Sequence, residues 1–329
     1  MSPKRLSRMT FVTLIHRIHP GDGGTASATR RHPHRTFIAA TWAVATAVAR
    51  AQAQAVSETP TALATIAPAI HVISSSSGNL IVRVGAHETL IVGVQSPELV
   101  ARARAFISQT QAAPVRLAVA AELDNSAAYG DGGWGKAGAV TFAQEVCRYR
   151  MFEVQRAARA NPQRLLDSIP TVGFSEVVQI ALTGDEAHVV HQKPGYSDAD
   201  VIVHLEAESV IYLGGIFQSD GYPSVNVASG GSVSGMIATA STFISNFGRN
   251  TRMQYVPGRG PATDTKRLVD YRDMLVGVQT RVKALLDAGE TEAAIVAAHP
   301  SAAFDPIWGN GPITPDRFVG LVVRSLTKR

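Results

Sequence analysis

Two carboxylates that follow an apolar strand are the residues of this chain best placed for chemistry. Residues 115–121 read Val-Arg-Leu-Ala-Val-Ala-Ala, and Glu122 and Asp124 come directly after them. Such carboxylates can act as general bases or bind a hard cation, although two alone make a weak metal site. Residues 130–136 match the first seven positions of a phosphate-binding loop. Nucleotide binding is nevertheless not predicted, because Ala137 stands where Ser or Thr should hold Mg²⁺.

Two further groups of residues are easily mistaken for reactive sites. His188 and His191 are three residues apart on a predicted strand, so they face opposite sides and cannot chelate one metal together. The Gly-Gly-Ser-Val-Ser-Gly segment resembles a nucleophile elbow, but the residue between the spaced glycines is Val233. We therefore expect Ser232 or Ser234 to cap a helix over residues 233–247 instead of acting as a nucleophile.

Strands and helices that would position these residues come in two similar sets. In each set several strands precede a helix, a strand and a further helix, which predicts an α/β sandwich with sheets inside and helices outside. No low-complexity linker interrupts the chain after residue 65, which favours one domain. Predicted strands cover residues 69–74, 79–84, 88–94, 115–121, 176–182, 187–191, 200–205, 209–213 and 252–256, with one further short strand after the Gly-rich loop over residues 130–138. Predicted helices cover 97–110, a region near 142–158, 233–247, 264–288, 291–298 and 314–326.

Charge is unevenly distributed along the 329 residues. The whole chain has 31 basic and 26 acidic residues, but residues 1–55 contain eight basic residues and one acid. The remainder contains 23 basic and 25 acidic residues, and no basic stripe with interleaved aromatic residues. Nucleic-acid binding is therefore not predicted. The single cysteine, Cys147, excludes an intrachain disulfide or a thiolate-rich zinc site.

The first 55 residues have the parts of a secretory signal. Three arginines, Arg30, Arg31 and Arg35, precede an uncharged run over residues 36–49, and Ala-Gln-Ala-Gln-Ala ends at Ala55. The run is too short for a comfortable membrane span. We expect Sec- or Tat-type export to the periplasm or the exterior with cleavage near Ala55, and a mature domain over residues 56–329 without a stable membrane span. A membrane-anchored or disordered N-terminus is the alternative.

Several blocks of framework residues resemble the metallo-β-lactamase superfamily. The resemblance covers roughly residues 65–329, essentially the whole predicted mature chain, and it implies an αββα four-layer sandwich with a zinc site on loops at one edge. Zn²⁺ in such a site needs imidazole and carboxylate ligands and an open position for water. The blocks that resemble the superfamily are residues 114–139, 195–201, 210–217, 222–236 and 256–261.

At all seven positions where the superfamily has metal ligands, this chain has a different residue. The His-x-His-x-Asp-His signature and the three later ligands correspond to Glu122, Asp124, Ser126, Ala127, Tyr196, Gly215 and Arg259. Ser, Ala, Gly and Arg side chains do not ligate zinc usefully. The resemblance therefore implies a fold that normally holds zinc, in a chain for which no metal cofactor is predicted.

Other residues are expected to fill the place of the metal. One hypothesis is that the guanidinium of Arg259 pairs with Glu122 or Asp124, and the alternative is that Arg259 is a solvated loop residue. Tyr196 and Tyr212 are expected to fill part of the cleft with aromatic surface. That surface suits a ligand pocket and a closed, functionless cleft equally well.

Two functions follow from these observations. The first is an exported binding or interaction module without catalytic zinc, a pseudoenzyme whose partner is a small molecule or an intact homologue. The second is a divergent hydrolase of esters, lactones or amides that uses the remaining carboxylates or a different metal. Asp220, Tyr222 and Ser224 lie on a loop that borders the site in the superfamily, and we expect them to be mainly solvated rim residues.

Overall fold

Residues 62–93, 96–121, 133–157 and 169–328 are the parts of the chain that the computed structural model describes. The predicted leader over residues 1–55 and four of the seven former ligand positions (Glu122, Asp124, Ser126 and Ala127) lie outside these ranges. The export signal, its cleavage site and the domain boundary at residue 55 therefore remain predictions. Within the described ranges, no helix is long and apolar enough to cross a membrane.

Twelve strands make up the two sheets of the described chain. Most of them are rich in Val, Ile and Leu, which favour strands that are buried on both faces. They are β1 (Ala62–Ala67), β2 (Ile70–Ser75), β3 (Gly78–Val84), β4 (Thr89–Gly93), β5 (Val115–Ala120), β6 (Val140–Gln144), β7 (Val172–Phe174), β8 (Val177–Leu182), β9 (Asp185–His191), β10 (Val201–Leu205), β11 (Val210–Gln218) and β12 (Gln254–Arg259).

Each sheet combines an antiparallel part with a parallel part. The first sheet has the order β1-β2-β3-β4-β5-β6-β7, antiparallel from β1 to β4 and parallel from β4 to β7. The second sheet has the order β12-β11-β10-β9-β8, in which only β11 and β12 are parallel. Parallel neighbours end at the same edge of a sheet, so the loops after β5 and β12 are brought to sheet edges where side chains can converge.

Seven α-helices flank the sheets in the described residues. Several begin at a Ser, Asp or Thr whose side chain accepts a hydrogen bond from a free backbone N–H, as at Ser232 before the third helix and Asp264 before the fourth. The helices are α1 (Pro97–Gln109), α2 (Glu145–Ala157), α3 (Val233–Phe247), α4 (Thr265–Asp287), α5 (Glu292–Ala297), α6 (Asp305–Trp308) and α7 (Pro315–Thr327).

The core is divided into layers, as the four-layer prediction requires. One buried cluster lies between the sheets and includes Val119, Val189 and Tyr212. A second joins the outer face of the second sheet to α3, α4 and α7, and a third joins the outer face of the first sheet to α1. The predicted αββα sandwich, with sheets inside and helices outside, is therefore confirmed.

The individual elements agree with the sequence at most positions. The helix predicted over residues 233–247 is α3 with the same bounds, and the predicted β2, β3, β4 and β5 regions are strands within one or two residues. The structure adds β1, β7 and α6, which the sequence did not indicate. A short helix such as α6 and a three-residue strand such as β7 give too few residues for a periodic pattern.

A buried ion pair joins the two sheets at the end where β3 finishes and β8 turns into β9. The side chain of Arg83 is only 3% exposed and contacts Glu88, with Arg83 Nη1 at 3.1 Å from Glu88 Oε1. Arg83 Nη2 also donates to the carbonyl of Thr183 at 2.7 Å, and Glu88 accepts from the Thr183 N–H and hydroxyl. Arg83, Glu88 and Thr183 thus link the two sheets through polar contacts, although the buried Nε of Arg83 has no hydrogen-bond partner among the described residues.

Candidate functional site

Loops at one edge of the sandwich bring the described former ligand positions together. The backbone N–H of Val201, at the start of β10, donates to the carbonyl of Ala121, just after β5, at 3.3 Å. This bond joins the described end of the segment after β5 to the start of β10. Tyr196 lies in that loop, and Gly215 lies within β11, after the register shift that begins at Gly214.

Tyr196 covers the backbone of Gly215. A Cβ atom on residue 215 would lie 2.8 Å from Cγ of Tyr196 and 3.0 Å from its Cβ. Carbon atoms do not approach that closely without a shift of the backbone or the ring. The half-buried tyrosine therefore fills the space that a side chain at residue 215 would need. That Tyr196 also fills part of a cleft stays a prediction.

Arg259 is held by backbone oxygens of the first sheet. Gly258 packs closely on β11, where a Cβ on it would lie 2.8 Å from the carbonyl carbon of Gly214. The exposed Arg259 side chain that follows donates from Nε to the carbonyl of Ser76 at 3.4 Å and from Nη2 to that of Ser77 at 3.3 Å. Its proposed partners, the two carboxylates after β5, lie outside the described residues, so that ion pair stays a prediction.

A buried carboxylate organises the loop that carries Tyr196. Asp200 Oδ2 accepts from the N–H of Gly195 at 3.0 Å, and its Oδ1 accepts from the N–H and the hydroxyl of Ser197 at 2.8 Å. Burial raises the pKa of Asp200 to about 6, while these hydrogen bonds act in the opposite direction. Asp200 therefore fixes the loop from within. With a pKa of about 6, its carboxyl group becomes protonated when the pH is mildly acidic.

The same loop is attached to α2 by an ion pair. Arg150 forms two bonds to the carboxylate of Asp198, with Nη1–Oδ1 at 2.5 Å and Nη2–Oδ2 at 2.7 Å. A paired arrangement of this kind fixes both position and orientation. The ring of His191 lies on the other side, with Nε2 at 3.0 Å from the carbonyl oxygen of Asp198. The loop around Tyr196 is therefore held by contacts to a helix, a strand and its own buried aspartate.

Glycines at the start of α3 let this loop approach the helix. Ser232 N donates to the carbonyl of Gly195 at 2.7 Å, and a Cβ on Gly235 would overlap the carbonyl of Pro194. Ser232 also caps α3, since its hydroxyl accepts from the N–H of Gly235 at 3.3 Å. The capping role expected for Ser232 or Ser234 is thus confirmed for Ser232. Residue 235 is a glycine because the loop packs too closely on it for a side chain.

Two tyrosines expected at the cleft lie in the core instead. Tyr212 is fully buried between the sheets, and its hydroxyl donates to the carbonyl of Asn79 at 3.4 Å. Tyr222 is also fully buried, donates to Asp305 at 2.7 Å and stacks on Phe318. The expectations that Tyr212 fills the cleft and that Tyr222 lies on a solvated rim were wrong. Tyr212 lies on the face of β11 that points between the sheets. The ring of Tyr222 packs against Phe318 of α7, which is distant in the sequence.

The other rim residues and the strand histidines have ordinary surroundings. Asp220 is exposed and Ser224 is half-buried. His188 pairs with Glu206, at 3.3 Å from Nε2 to Oε2, and lies opposite His204 across the sheet. His191 instead contacts the carbonyl oxygen of Asp198. The two histidines thus have different partners, in agreement with the expectation that they do not chelate one metal together.

Zinc, the metal implied by the superfamily resemblance, does not fit the described part of the cleft. Gly215 offers no side chain, the Tyr196 ring occupies the space beside it, and Arg259 brings a positive charge. Over residues 62–93, 96–121, 133–157 and 169–328, no three His, Cys, Asp or Glu side chains are grouped so that they could hold a metal ion. The remaining four former ligand positions lie outside those ranges.

Asn79 is a site-edge residue that the sequence reasoning missed. Its buried side-chain amide donates at 2.8 Å to the carbonyls of both Pro257 and Gly260, which flank Arg259. A polar residue within the apolar run of β3 was the available signal, because a buried amide requires hydrogen-bond partners. Asn79 therefore fixes the loop that presents Arg259.

Comparisons with known proteins point to the fold. The structure is similar to a metallo-β-lactamase from Pontibacter korlensis, with a TM-score of 0.53 and 13% sequence identity. The similarity covers 66% of this chain and 99% of the Pontibacter chain. No protein-family model matches the sequence, and no curated protein is similar to it in sequence.

Proposed function

We propose that this chain, which has the fold of the metallo-β-lactamases, is an exported binding protein without zinc-dependent catalysis. The observation that carries the proposal is the contact between Tyr196 and Gly215, because it fills a position where the superfamily has a metal ligand. Arg259, at another such position, is anchored to carbonyl groups of the first sheet. Both features favour a cleft that is built without a metal. Its occupant would be a small molecule or an intact homologue.

The superfamily's chemistry explains what this cleft lacks. A catalytic zinc lowers the pKa of bound water to about 7 and so supplies hydroxide at neutral pH. None of the described residues at these positions belongs to the types that usually act as general bases, which are His, Glu, Asp, Lys and Cys, although tyrosine does so in some enzymes. What Tyr196 can do is present an aromatic ring to a ligand, and the exposed Arg259 can offer a positive charge.

Elemental analysis is the first test of the proposal. The full chain is purified without chelator, dialysed separately against Zn²⁺, Mn²⁺ and Ca²⁺, and its metal content is measured. We expect no stoichiometric metal, and the same result for Glu122→Ala/Asp124→Ala. About one equivalent that disappears in the double variant would overturn the proposal. It would favour the divergent hydrolase, because the carboxylates that follow β5 would then hold the ion.

Ligand binding is tested separately from metal content. A panel of small carboxylates, esters and lactones is screened by thermal unfolding, and Tyr196→Ala is the comparison variant. A ligand that raises the unfolding temperature of the wild type and not of Tyr196→Ala supports binding at the cleft. Mixing the chain with a zinc-containing homologue in size-exclusion chromatography tests the other partner. Hydrolysis of an ester or lactone that requires Glu122 or Asp124 would contradict the non-catalytic assignment.

Export is a separate part of the proposal and rests on the composition of residues 1–55. Fusion of those residues to a reporter that is active only outside the cytoplasm tests it directly. We expect reporter activity and a mature N-terminus near residue 56 by mass spectrometry. An unprocessed N-terminus in an active fusion would favour the membrane-anchored alternative.

A further inference from the structure

β1 leaves one edge of the seven-stranded sheet open among the described residues. It pairs with β2 only, and its first four residues are exposed. Leu63 in the middle of this stretch keeps 54% of its surface exposed. An edge strand presents a row of backbone N–H and C=O groups that another extended strand can use. The geometry of β1 therefore specifies a strand as its natural partner.

The usual protections of an edge strand are missing from most of β1. Its sequence, Ala-Leu-Ala-Thr-Ile-Ala, contains no charged residue and no proline. A bulge interrupts the pairing with β2 only near the end, between Thr65 and Ala67. Proteins generally place lysine, proline or a bulge along a free edge to prevent association. The regular part of β1, from Ala62 to Thr65, has none of these.

An apolar groove lies beside the open edge. It has a volume of about 380 Å³ and is formed by β1, β2 and α1. Ala101 and Ala105, one turn apart on α1, line it together with Phe106 and with Ile73 of β2. The residues that line it are Ala62, Leu63, Ile73, Ala101, Arg102, Ala105, Phe106 and Gln109. Exposed apolar surface that is continuous with a free strand edge is typical of an interaction site.

We propose that β1 pairs antiparallel with β1 of a second copy of this chain and makes a twofold dimer. An uncharged strand can lie against an identical strand without placing like charges opposite each other. A twofold axis near Ala64 would place Leu63 opposite Thr65 of the partner subunit. Both residues have ladder partners, Ile73 and His71, that pack against α1, so both side chains lie on the same face. The two α1 helices would then lie on one side of a continuous fourteen-stranded sheet.

Sedimentation equilibrium of the full chain tests the dimer. We expect twice the monomer mass for the wild type, and a dissociation constant at least about tenfold larger for Leu63→Lys. Val177→Lys is the matched control, because Val177 is equally exposed, at 54%, on β8, the edge strand of the other sheet. Thermal unfolding of each variant ensures that only folded proteins are compared. A wild type that stays monomeric up to about 100 μM overturns the proposal, as does an equal effect of the two lysines.

Covalent capture provides a second measurement that does not depend on a destabilising charge. Cys147 is buried and is the only cysteine, so Ala64→Cys adds a single accessible thiol to the chain. Directly opposite Cβ atoms in an antiparallel pair lie about 4.5–5.5 Å apart, within reach of a short bifunctional maleimide. We expect cross-linked dimers from Ala64→Cys and monomers from Val177→Cys. Cross-linking of Val177→Cys alone would contradict the assigned edge.

Discussion

The ring of Tyr196 lies over Gly215 so closely that no side chain can be added to residue 215 without displacement. The nearest approach of an added Cβ would be 2.8 Å, to Cγ of the ring. Tyrosine and glycine at these two positions therefore depend on each other. An aspartate introduced at residue 215 would meet the ring of Tyr196, so that substitution alone leaves no room for a metal ligand there.

We expect Gly215→Ala to lower the free energy of unfolding by about 1–3 kcal/mol, the usual cost of overpacking. In Tyr196→Ala the same substitution should cost much less, since the ring that it meets is gone. Urea denaturation of the four members of this double-mutant cycle measures the coupling. Gly135→Ala is the control, because its added Cβ would meet nothing closer than 3.6 Å. Additive effects of the two substitutions would show that the ring moves freely.

The ion pair of Arg83 and Glu88 should make the free energy of unfolding depend on pH in the acidic range. Burial raises the pKa of Glu88, but hydrogen bonds from Thr183 and the charge and hydrogen bond of Arg83 outweigh it, so the pKa is lowered overall. Because folding lowers this pKa, its stabilisation is complete above the unfolded value of about 4.3 and is lost as pH falls through the folded value. The difference between wild type and Glu88→Gln in unfolding free energy should shrink below pH 4.

The neutral-pH cost of Glu88→Gln should be about 3 kcal/mol, since it leaves the buried guanidinium of Arg83 without its anionic partner. Arg83→Met/Glu88→Leu removes both charges and should cost less than the single substitution. Guanidinium chloride would screen the pair, so urea is the denaturant for this comparison. If the double variant loses more unfolding free energy than Glu88→Gln, packing and not charge dominates at this ion pair.

Asp200 should have the opposite effect to Glu88 on the pH dependence of the free energy of unfolding. Its pKa of about 6 in the folded chain is above the unfolded value of about 3.9, so the folded state binds the proton more tightly. Stability relative to Asp200→Asn should therefore fall by about 2–3 kcal/mol as pH rises from 4 to 6, and stay constant above that. Urea denaturation at intervals across this range measures it. A constant difference between the two proteins would mean that hydrogen bonds keep Asp200 charged throughout.

Arg259 provides a test that reaches residues outside the described ranges. If its guanidinium also pairs with a carboxylate after β5, Arg259→Ala and Asp124→Ala should destabilise less together than the sum of the single effects. We expect a coupling of about 0.5–1 kcal/mol, because Arg259 is exposed and such pairs are weak. The matching cycle with Glu122→Ala identifies the partner. No coupling in either cycle would leave the Ser76 and Ser77 carbonyls as the partners of Arg259.

Local signals in the sequence were sufficient for much of the fold. α3 began at a serine cap and kept its apolar spacing to Phe247, so its bounds were readable from adjacent residues. β1 was missed because alanine and threonine dominate it, and only its ladder with β2 makes it a strand. Regular elements are thus predictable where cap and periodicity agree.

The site was less predictable, because its contacts join residues that are distant in sequence. Framework glycines indicated where the cleft lies, but not that Tyr196 packs on Gly215, nineteen residues later. Tyr222 looked like a rim residue in its loop, whereas its ring stacks on Phe318 of α7. A pattern along the chain reports the face of an element, and it does not report which distant side chain covers that face.

The Asn79 amide and the Arg83 side chain together fasten the sandwich at both ends of one strand. Asn79, at the start of β3, bonds to carbonyls around Arg259, and Arg83, near the end of β3, bonds to Thr183 beyond β8. Because both ends of β3 are bonded to segments of the second sheet, these contacts oppose sliding of one sheet over the other. We therefore expect rearrangements at this edge to be confined to the loops, whose motions take nanoseconds to microseconds.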